Sequence, residues 1–323
     1  MPGLKIGIDA MGGDFAPVEC IRGAALVLDQ LPPDAQLVLY GDLSQIQPLV
    51  HRERMPSHRV ELVHCEEVVG MAESPTRAMQ QKPNSSIAIG FQHLKEGFID
   101  AFAGAGNTGA MMVGAVQSVR TIEGVLRPSL TTVVPRDNDH LGILLDVGAN
   151  VDCRPEMLLQ FGLLGSLYAQ YVYHIDAPRV ALISIGEEEG KGNQLVKEAA
   201  ELMRASRQLR FIGNIEGRHI FSNQADVMVC DGFVGNIILK FGESIYDMVK
   251  RRGITDPYWD RFNYENYGGS GILGLNAPVV VAHGISNANA FRNMILLTRE
   301  MVESRLVERF REAFLNLQTA ELG

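Results

Sequence analysis

Lys191 is the residue whose setting most invites chemistry. The apolar run Val180–Ile185 ends in Gly186-Glu187-Glu188-Glu189-Gly190-Lys191-Gly192-Asn193, a lysine bracketed by glycines, and Gln194 to Arg204 then reads as a helix. A buried strand that breaks into a flexible loop and opens a helix offers backbone N–H groups and one ammonium to an anion. A nucleotide-binding P-loop needs four residues between its first glycine and the Gly-Lys pair, and a Ser or Thr after the lysine to hold magnesium. Here three glutamates separate Gly186 from Gly190, and Gly192 follows Lys191. The pattern disfavours a nucleoside triphosphate and leaves a smaller anion; the plainer alternative is a solvated loop lysine.

Other glycine turns follow apolar runs in the same way. Leu4–Asp9 stops at Ala10-Met11-Gly12-Gly13-Asp14, where Asp9 and Asp14 are candidate ligand contacts or, more plainly, a turn residue and a helix N-cap. Phe98–Ala103 leads to Gly104-Ala105-Gly106-Asn107-Thr108-Gly109, formally the dinucleotide fingerprint, but Arg127-Pro128 stands where a ribose-binding acid is expected. A loop presenting Asn107 and Thr108 at a helix start still suits an anion or a carbonyl. Leu141–Val147 runs into Asp146-Val147-Gly148-Ala149-Asn150, Val227–Cys230 into Asp231-Gly232-Phe233-Val234-Gly235-Asn236, and Pro278–Ala282 into His283-Gly284-Ile285-Ser286-Asn287. Asn236 reads first as the N-cap of a helix over Ile237–Arg251. In open α/β sheets such turns lie at strand C-terminal ends, so polar residues from several of them are expected to converge on one crevice.

The elements that must carry these turns alternate. Strands are expected at Leu4–Asp9, Leu37–Gly41, Val60–Val63, Phe98–Ala103, Leu130–Val134, Leu141–Val147, Val180–Ile185, Phe211–Ile215, Val227–Cys230 and Pro278–Ala282. Helices are expected at Val18–Leu28, from near Leu43, Ile87–Lys95, Ala110–Arg120, Glu156–Tyr171 behind Pro155, Gln194–Arg204, Ile237–Arg251 and Ala290–Leu317, with a short one between Ser74 and Ser86. Pro135–His140 reads as the exposed connector of a hairpin. The 323 residues, 46% hydrophobic with 33 glycines and 7% aromatics, fit an α/β protein, read here as one domain over 1–323 with two lobes. A net charge of −9 argues against general nucleic-acid binding. Cys20, Cys65, Cys153 and Cys230 have no paired spacing, so neither a metal site nor a disulfide framework is expected. The start of the chain reads directly as a strand and no apolar run approaches spanning length, which predicts a cytoplasmic protein.

Taken in order, Ile8–Asp14, Ala105–Ala110, Leu145–Asn150, Ile185–Glu189 with Lys191-Gly192, Asp231–Phe233 with Gly235-Asn236, and His283-Gly284 with Ser286–Ala288 resemble the bacterial phosphate acyltransferases of the PlsX family. The resemblance implies a three-layer α/β/α sandwich with a mostly parallel central sheet, similar to isocitrate and isopropylmalate dehydrogenases and to phosphotransacetylase. It implies transfer of a fatty acyl group from acyl-[acyl-carrier protein] to inorganic phosphate, with the acyl phosphate feeding phospholipid synthesis. It further implies a homodimer, no cofactor or metal, and peripheral association with the inner face of the membrane. Its partners would be acyl carrier protein, inorganic phosphate and an acyl-phosphate:glycerol-3-phosphate acyltransferase.

By the same resemblance Lys191 and Asn236 match the catalytic lysine and asparagine. Asp9, Gly12, Gly13, Asn107, Thr108, Gly109, Asn150, Asp231, Gly232, His283, Ser286 and Asn287 would line the substrate site. One departure concerns the membrane: many family members carry a longer apolar hairpin after this asparagine-bearing helix. Here the connector from Lys250 to Asn266 is short and polar, with only Tyr258, Trp259 and Phe262 as interfacial residues. Docking of an acidic carrier on a −9 chain requires a local basic patch, for which Lys250-Arg251-Arg252 and the group Arg204, Arg207, Arg210 are candidates. Two other readings are a nicotinamide-dependent dehydrogenase of the related fold and a non-catalytic scaffold that binds the acyl carrier. The glutamates Glu187–Glu189 are expected to point towards solvent or a second copy, since they would repel phosphate.

Overall fold

The computed structural model describes residues 3–137 and 140–321. The chain falls into two compact units, Met1–Arg120 with Tyr264–Glu303 and Thr121–Asn263 with Ser304–Gly323. In the first unit it forms β1 (Lys5–Asp9), α1 (Val18–Val27), β2 (Gln36–Gly41), α2 (Leu43–Arg52), β3 (Val60–His64), α3 (Pro75–Gln81), α4 (Ser86–Glu96), β4 (Ala101–Gly104) and α5 (Thr108–Ser118). In the second it forms β5 (Ser129–Pro135), β6 (Leu141–Leu145), α6 (Pro155–Val172), β7 (Arg179–Ser184), α7 (Gln194–Ala205), β8 (Arg210–Glu216), β9 (Val227–Val229), α8 (Gly232–Arg251) and α9 (Pro257–Asp260). It returns to the first unit for β10 (Ser270–Leu273), β11 (Val279–Val281) and α10 (Ala288–Glu303), and closes the second with α11 (Leu306–Glu321).

Within the first unit the strand order is β3-β2-β1-β4-β11-β10, parallel throughout except that β10 runs antiparallel to β11. Its strands are continuous apolar runs because both faces are covered. Helix α1 packs on α2 and α10, α5 packs on α3 and α4, and members of both groups touch β1 and β4. That is a three-layer α/β/α arrangement. Tyr40, Phe91, Phe102 and Phe291 are fully buried in it, with the rings of Phe91 and Phe102 edge to face at 5.0 Å. Asp9, Gly104 and Val281 stand level across β1, β4 and β11, so the turns that follow emerge side by side.

In the second unit the order is β5-β6-β9-β7-β8, parallel except for the β5–β6 hairpin. Helix α6 lies against β6, β9 and β7 and is flanked by α7 and α11, burying Phe161, Tyr168, Phe310 and Phe314. Leu145, Val229 and Leu182 are level, so here too three turns leave neighbouring parallel strands at the same edge.

Most expected elements are present, and the differences have local causes. The strand expected from Phe98 begins only at Ala101, because Gly97 ends α4 with φ +74° and residues 98–100 complete the turn. Asp14 does not cap α1; the residue before that helix is Pro17, which offers no side-chain cap. The helix expected from Ile237 starts five residues earlier, at Gly232, with Asp231 as its cap. The glycine-rich stretch Tyr267–Gly271 reads as a turn before the Pro278–Ala282 strand, but its last two residues, Ser270 and Gly271, open the strand β10. The single last helix is two, α10 and α11, broken at Ser304-Arg305, where Arg305 adopts φ +54°. The predicted hairpin connector is present at Pro135–Asp137 and His140, while Asn138 and Asp139 lie outside the described residues.

Candidate functional site

In the second unit the turn after β6 is built around one buried carboxylate, and the start of α8, which follows β9, packs against that turn. Asp146, joined to Leu145 by a cis peptide, has no exposed surface. Its Oδ1 accepts from the N–H of Gly148 at 2.9 Å and of Ala149 at 2.8 Å, and its Oδ2 accepts from Asn150 Nδ2 at 2.5 Å. Burial pushes this carboxyl above the usual carboxylate range, and hydrogen bonds from Ala149, Asn150 and Gly148 oppose the shift. The second N–H of Asn150 goes to Pro128 O at 2.8 Å, and its own carbonyl accepts from Gly232 N at 2.7 Å. Asn150 therefore ties the β6 turn to the start of α8.

Helix α8 opens against this turn. Asp231 Oδ1 accepts from Val234 N at 2.9 Å, a helix cap, so this predicted ligand residue is occupied in positioning. Asn236 lies on the second turn of α8, exposed, and donates one amide N–H to Val147 O at 3.2 Å. Its other N–H and its Oδ1 are turned to no protein group among the described residues. Gly235 is forced by the close approach: a Cβ there would lie 1.8 Å from Asp146 O.

Lys191 follows the adjacent strand β7. Gly192 holds φ +101°, which allows the chain to turn sharply into Asn193, whose Oδ1 caps α7 through Val196 N at 2.9 Å. The lysine stem rests beside Gly186, and its ammonium is exposed with no ion pair or hydrogen bond among the described residues. Two of the three glutamates are paired elsewhere: Glu187 lies 3.0 Å from His219 Nδ1 and Glu189 pairs with Arg204 at 3.1 Å. The backbone O of Glu188 accepts from Lys191 N and Asn214 Nδ2, while its carboxylate lies beside Gly186, as the lysine stem does. An exposed ammonium without an ion partner is suited to a small anion.

A second cluster, in the first unit, repeats the logic of the buried carboxylate. Asp9 is buried and accepts from Met11 N at 3.1 Å; burial raises its carboxyl, opposed by hydrogen bonds from Ser86, Met11 and Gly12. A Cβ on Gly12 would sit 2.4 Å from that carboxylate and 2.6 Å from Gly106 N, so the β1 and β4 turns touch only because both are glycines. Asp14 N donates to Gly284 O at 2.7 Å, joining the β11 turn next to Gly13. Asn107 is fully engaged: Oδ1 caps α5 through Ala110 N at 3.0 Å, and Nδ2 reaches Gly70 O, Met71 O and Glu73 O. Gly109 packs on Pro75, Ser286 Oγ donates to His283 O at 2.6 Å, and Asn287 Oδ1 accepts from Ala290 N at 3.0 Å. Of the predicted ligand side chains here, Thr108 is exposed and His283 is half-buried, while Asp9, Asn107 and Ser286 serve the loops.

The structure thus brings Asn150, Asp231, Gly232 and Asn236 together and sets Lys191 in the loop between β7 and α7, β7 being the strand paired with β9. It groups Asp9, Gly12, Gly13 and the Asn107 turn with the His283 turn. Asp146 is the organising residue that motif reading left without a role. Its signal was present as an aspartate closing an apolar run ahead of a glycine turn, the same pattern as Asp9.

The chain is similar to known proteins along nearly all of its length. A family model described as "Fatty acid synthesis protein" matches residues 4–252. The phosphate acyltransferase of Pelotomaculum thermopropionicum is 40% identical over 99% of this chain and 98% of its own length, and that of Salinibacter ruber 39% identical over 97% and 98%. Among solved structures, a phosphotransacetylase from Streptococcus pyogenes superposes with a TM-score of 0.68 at 17% identity, covering 95% of this chain and 94% of that one. The EutD phosphotransacetylase from Staphylococcus aureus gives 0.61 at 16%, covering 93% and 94%. These two structures share the fold. With an identity near two fifths along almost the whole length, the chain belongs to the phosphate acyltransferase family and is an acyltransferase.

Proposed function

We propose that this enzyme transfers a fatty acyl group from the thioester of acyl carrier protein to inorganic phosphate, yielding an acyl phosphate for phospholipid synthesis. The observation that carries the reading is the unpaired Lys191 ammonium in the loop after β7, the strand paired with β9, within a family named for acyl transfer to phosphate. A phosphate oxygen attacks the thioester carbonyl carbon, a C–O bond forms, the C–S bond breaks, and the proton of hydrogenphosphate leaves on the thiol. The substrate is the nucleophile, so the protein has only to hold phosphate, align the thioester and stabilise the oxyanion. Lys191 supplies the charge for phosphate. The free amide N–H of Asn236 donates to phosphate or to the oxyanion, and the carboxylate of Asp146 fixes the turn on which that amide rests. Thr108 and His283 are proposed substrate contacts in the first unit, and the remaining predicted residues there shape the turns.

Acyl phosphate trapped as hydroxamate, with and without added phosphate, tests the reaction. Lys191→Ala should raise KM for phosphate and lower kcat/KM, and Asn236→Ala should lower kcat by about 100-fold or more, as for loss of one oxyanion donor. Turnover within a few-fold of wild type in both variants would place the chemistry elsewhere. A dehydrogenase would instead show nicotinamide binding, and a scaffold would bind carrier without phosphate-dependent loss of thioester.

The proposed setting is cytoplasmic, with a second copy of the chain as partner and the acyl-phosphate:glycerol-3-phosphate acyltransferase as consumer of the product. No helix among the described residues is long and apolar enough to cross a membrane. Tyr258, Trp259 and Phe262 stack on one another, with Phe262 also on Phe221, at ring distances of 5.2 to 5.6 Å, which argues against their serving as a membrane anchor. The basic patches expected from sequence are partly neutralised: Lys250 pairs with Asp260 at 2.7 Å and Arg204 with Glu189.

A further inference from the structure

We propose that the hollow lined by Arg127 and Arg154 beside Asn150 binds the phosphate at the far end of the donor's pantetheine arm. This deepens the acyl-transfer reading and rests on it, since a thioester donor carries its thiol on such an arm whether the arm belongs to a carrier protein or to coenzyme A.

The hollow, about 560 Å³, lies wholly within the second unit, and its lining includes Arg127, Asn150, Asp152, Arg154 and Met157. Both arginines are exposed, and neither guanidinium has an ion pair or hydrogen bond among the described residues. Asp152 leaves the lining at a net charge of +1, on a chain whose total is −9.

The frame around these free ends is fixed. Gln160, buried on α6, accepts from Leu126 N at 2.8 Å and donates to Gly124 O at 2.9 Å, and Asn150 donates to Pro128 O at 2.8 Å. Arg127 is therefore held between two pinned neighbours. Arg154 immediately precedes Pro155 at the start of α6, a helix end without a side-chain cap whose partial positive charge is offset by Glu156 in its first turn, so the arginines carry the charge of the hollow.

Position gives the ligand its class. Asn150 and Ala149 belong both to this lining and to the turn that Asp146 organises, and Gly148 of that turn touches Asn236, with Nδ2 3.0 Å from where a glycine Cβ would be. An anion in the hollow is thus one turn away from the proposed oxyanion donor, while the phosphate that reacts has Lys191 of its own. Two forked guanidiniums recognise a phosphate ester better than two ammonium groups would. A flexible arm anchored there at its phosphate would deliver its sulfur to Asn236.

Calorimetric titration of the whole enzyme with 4′-phosphopantetheine and with dephosphorylated pantetheine tests this without turnover. The wild type should prefer the phosphorylated arm by roughly tenfold, the value of a charge-assisted contact, and Arg127→Ala/Arg154→Ala should abolish the preference. Arg127→Lys/Arg154→Lys should keep part of it, and thermal melting should show all variants folded. In turnover the Ala pair should raise KM for acyl-carrier protein while leaving KM for phosphate and for acyl-pantetheine unchanged. An equal rise for acyl-coenzyme A locates recognition in the shared phosphate, whereas a rise for the carrier alone would assign the arginines to the carrier's own surface and overturn the proposal. Equal affinity of the wild type for both arms, or an equal effect on acyl-pantetheine, would overturn the proposal. Loss of acyl phosphate formation in the wild type would instead overturn the acyl-transfer reading.

Discussion

At the scale of residues, the second unit contains a buried ion triad remote in role from the proposed chemistry. Asp226 bonds Arg136 Nη2 at 2.8 Å and Arg179 Nε at 2.9 Å, with 8% and 2% of the Asp226 and Arg136 side chains exposed. Burial acts to raise the Asp226 carboxyl, but the two arginines outweigh it and hold the group at about 2. A carboxyl depressed in the folded state stabilises above its unfolded value near 4 and loses that contribution as pH falls towards 2. The triad should therefore cost on the order of 1–2 kcal/mol of stability across that window, read from denaturation midpoints at stepped pH. Asp226→Ala leaves Arg136 buried without its partner and should destabilise by about 3–5 kcal/mol at neutral pH. A loss below 1 kcal/mol would mean that water reaches Arg136.

Among elements, α8 does most to define the site, and its true start was hidden in the sequence. Gly232 to Gly235 resembles a turn because two glycines stand in four residues, and Asn236 is a good N-cap by type. In the fold Asp231 takes the cap, and the glycines are needed where α8 crosses the Asp146 turn, not for flexibility. Gly235→Ala should push Asn236 off its Val147 contact. Because the clash is with backbone, it should lower the melting temperature by several degrees and depress kcat more than the KM for carrier. An unchanged melting temperature and kcat would show that α8 is free to shift. The last helix failed for a related reason: Glu303-Ser304-Arg305-Leu306 has ordinary helical composition, and only packing into separate units required the left-handed Arg305.

For the whole molecule, the exposed face of α8 bears on assembly. Phe233, Ile237 and Phe241 recur every four residues with 59%, 53% and 65% of their surfaces exposed, followed by Met248. A helix stripe of this kind is more apolar than an isolated chain needs and suits a two-fold contact with a second copy. Phe233→Glu/Phe241→Glu should convert a dimer to a 35.4 kDa monomer in light scattering. A wild type that is already monomeric at micromolar concentration would remove the dimer.

The sequence by itself determined the α/β class, the alternation of elements and the order of the glycine turns, because apolar periodicity and turn chemistry are local properties of a chain. It also picked out Lys191, whose bracket of glycines and following helix need no tertiary knowledge. Tertiary structure alone decided which polar residues are spent on the scaffold. Asn107 has the composition of a ligand, yet its amide is fully engaged by backbone groups of its own helix and of a distant turn, while Asp231 and Ser286 each give one bond to a neighbouring backbone group. It likewise decided that Glu187 and Glu189 lean on His219 and Arg204 instead of Lys191. Whether a buried donor or charge is free depends on what the fold places within 3 Å of it, and that neighbour is seldom adjacent in sequence.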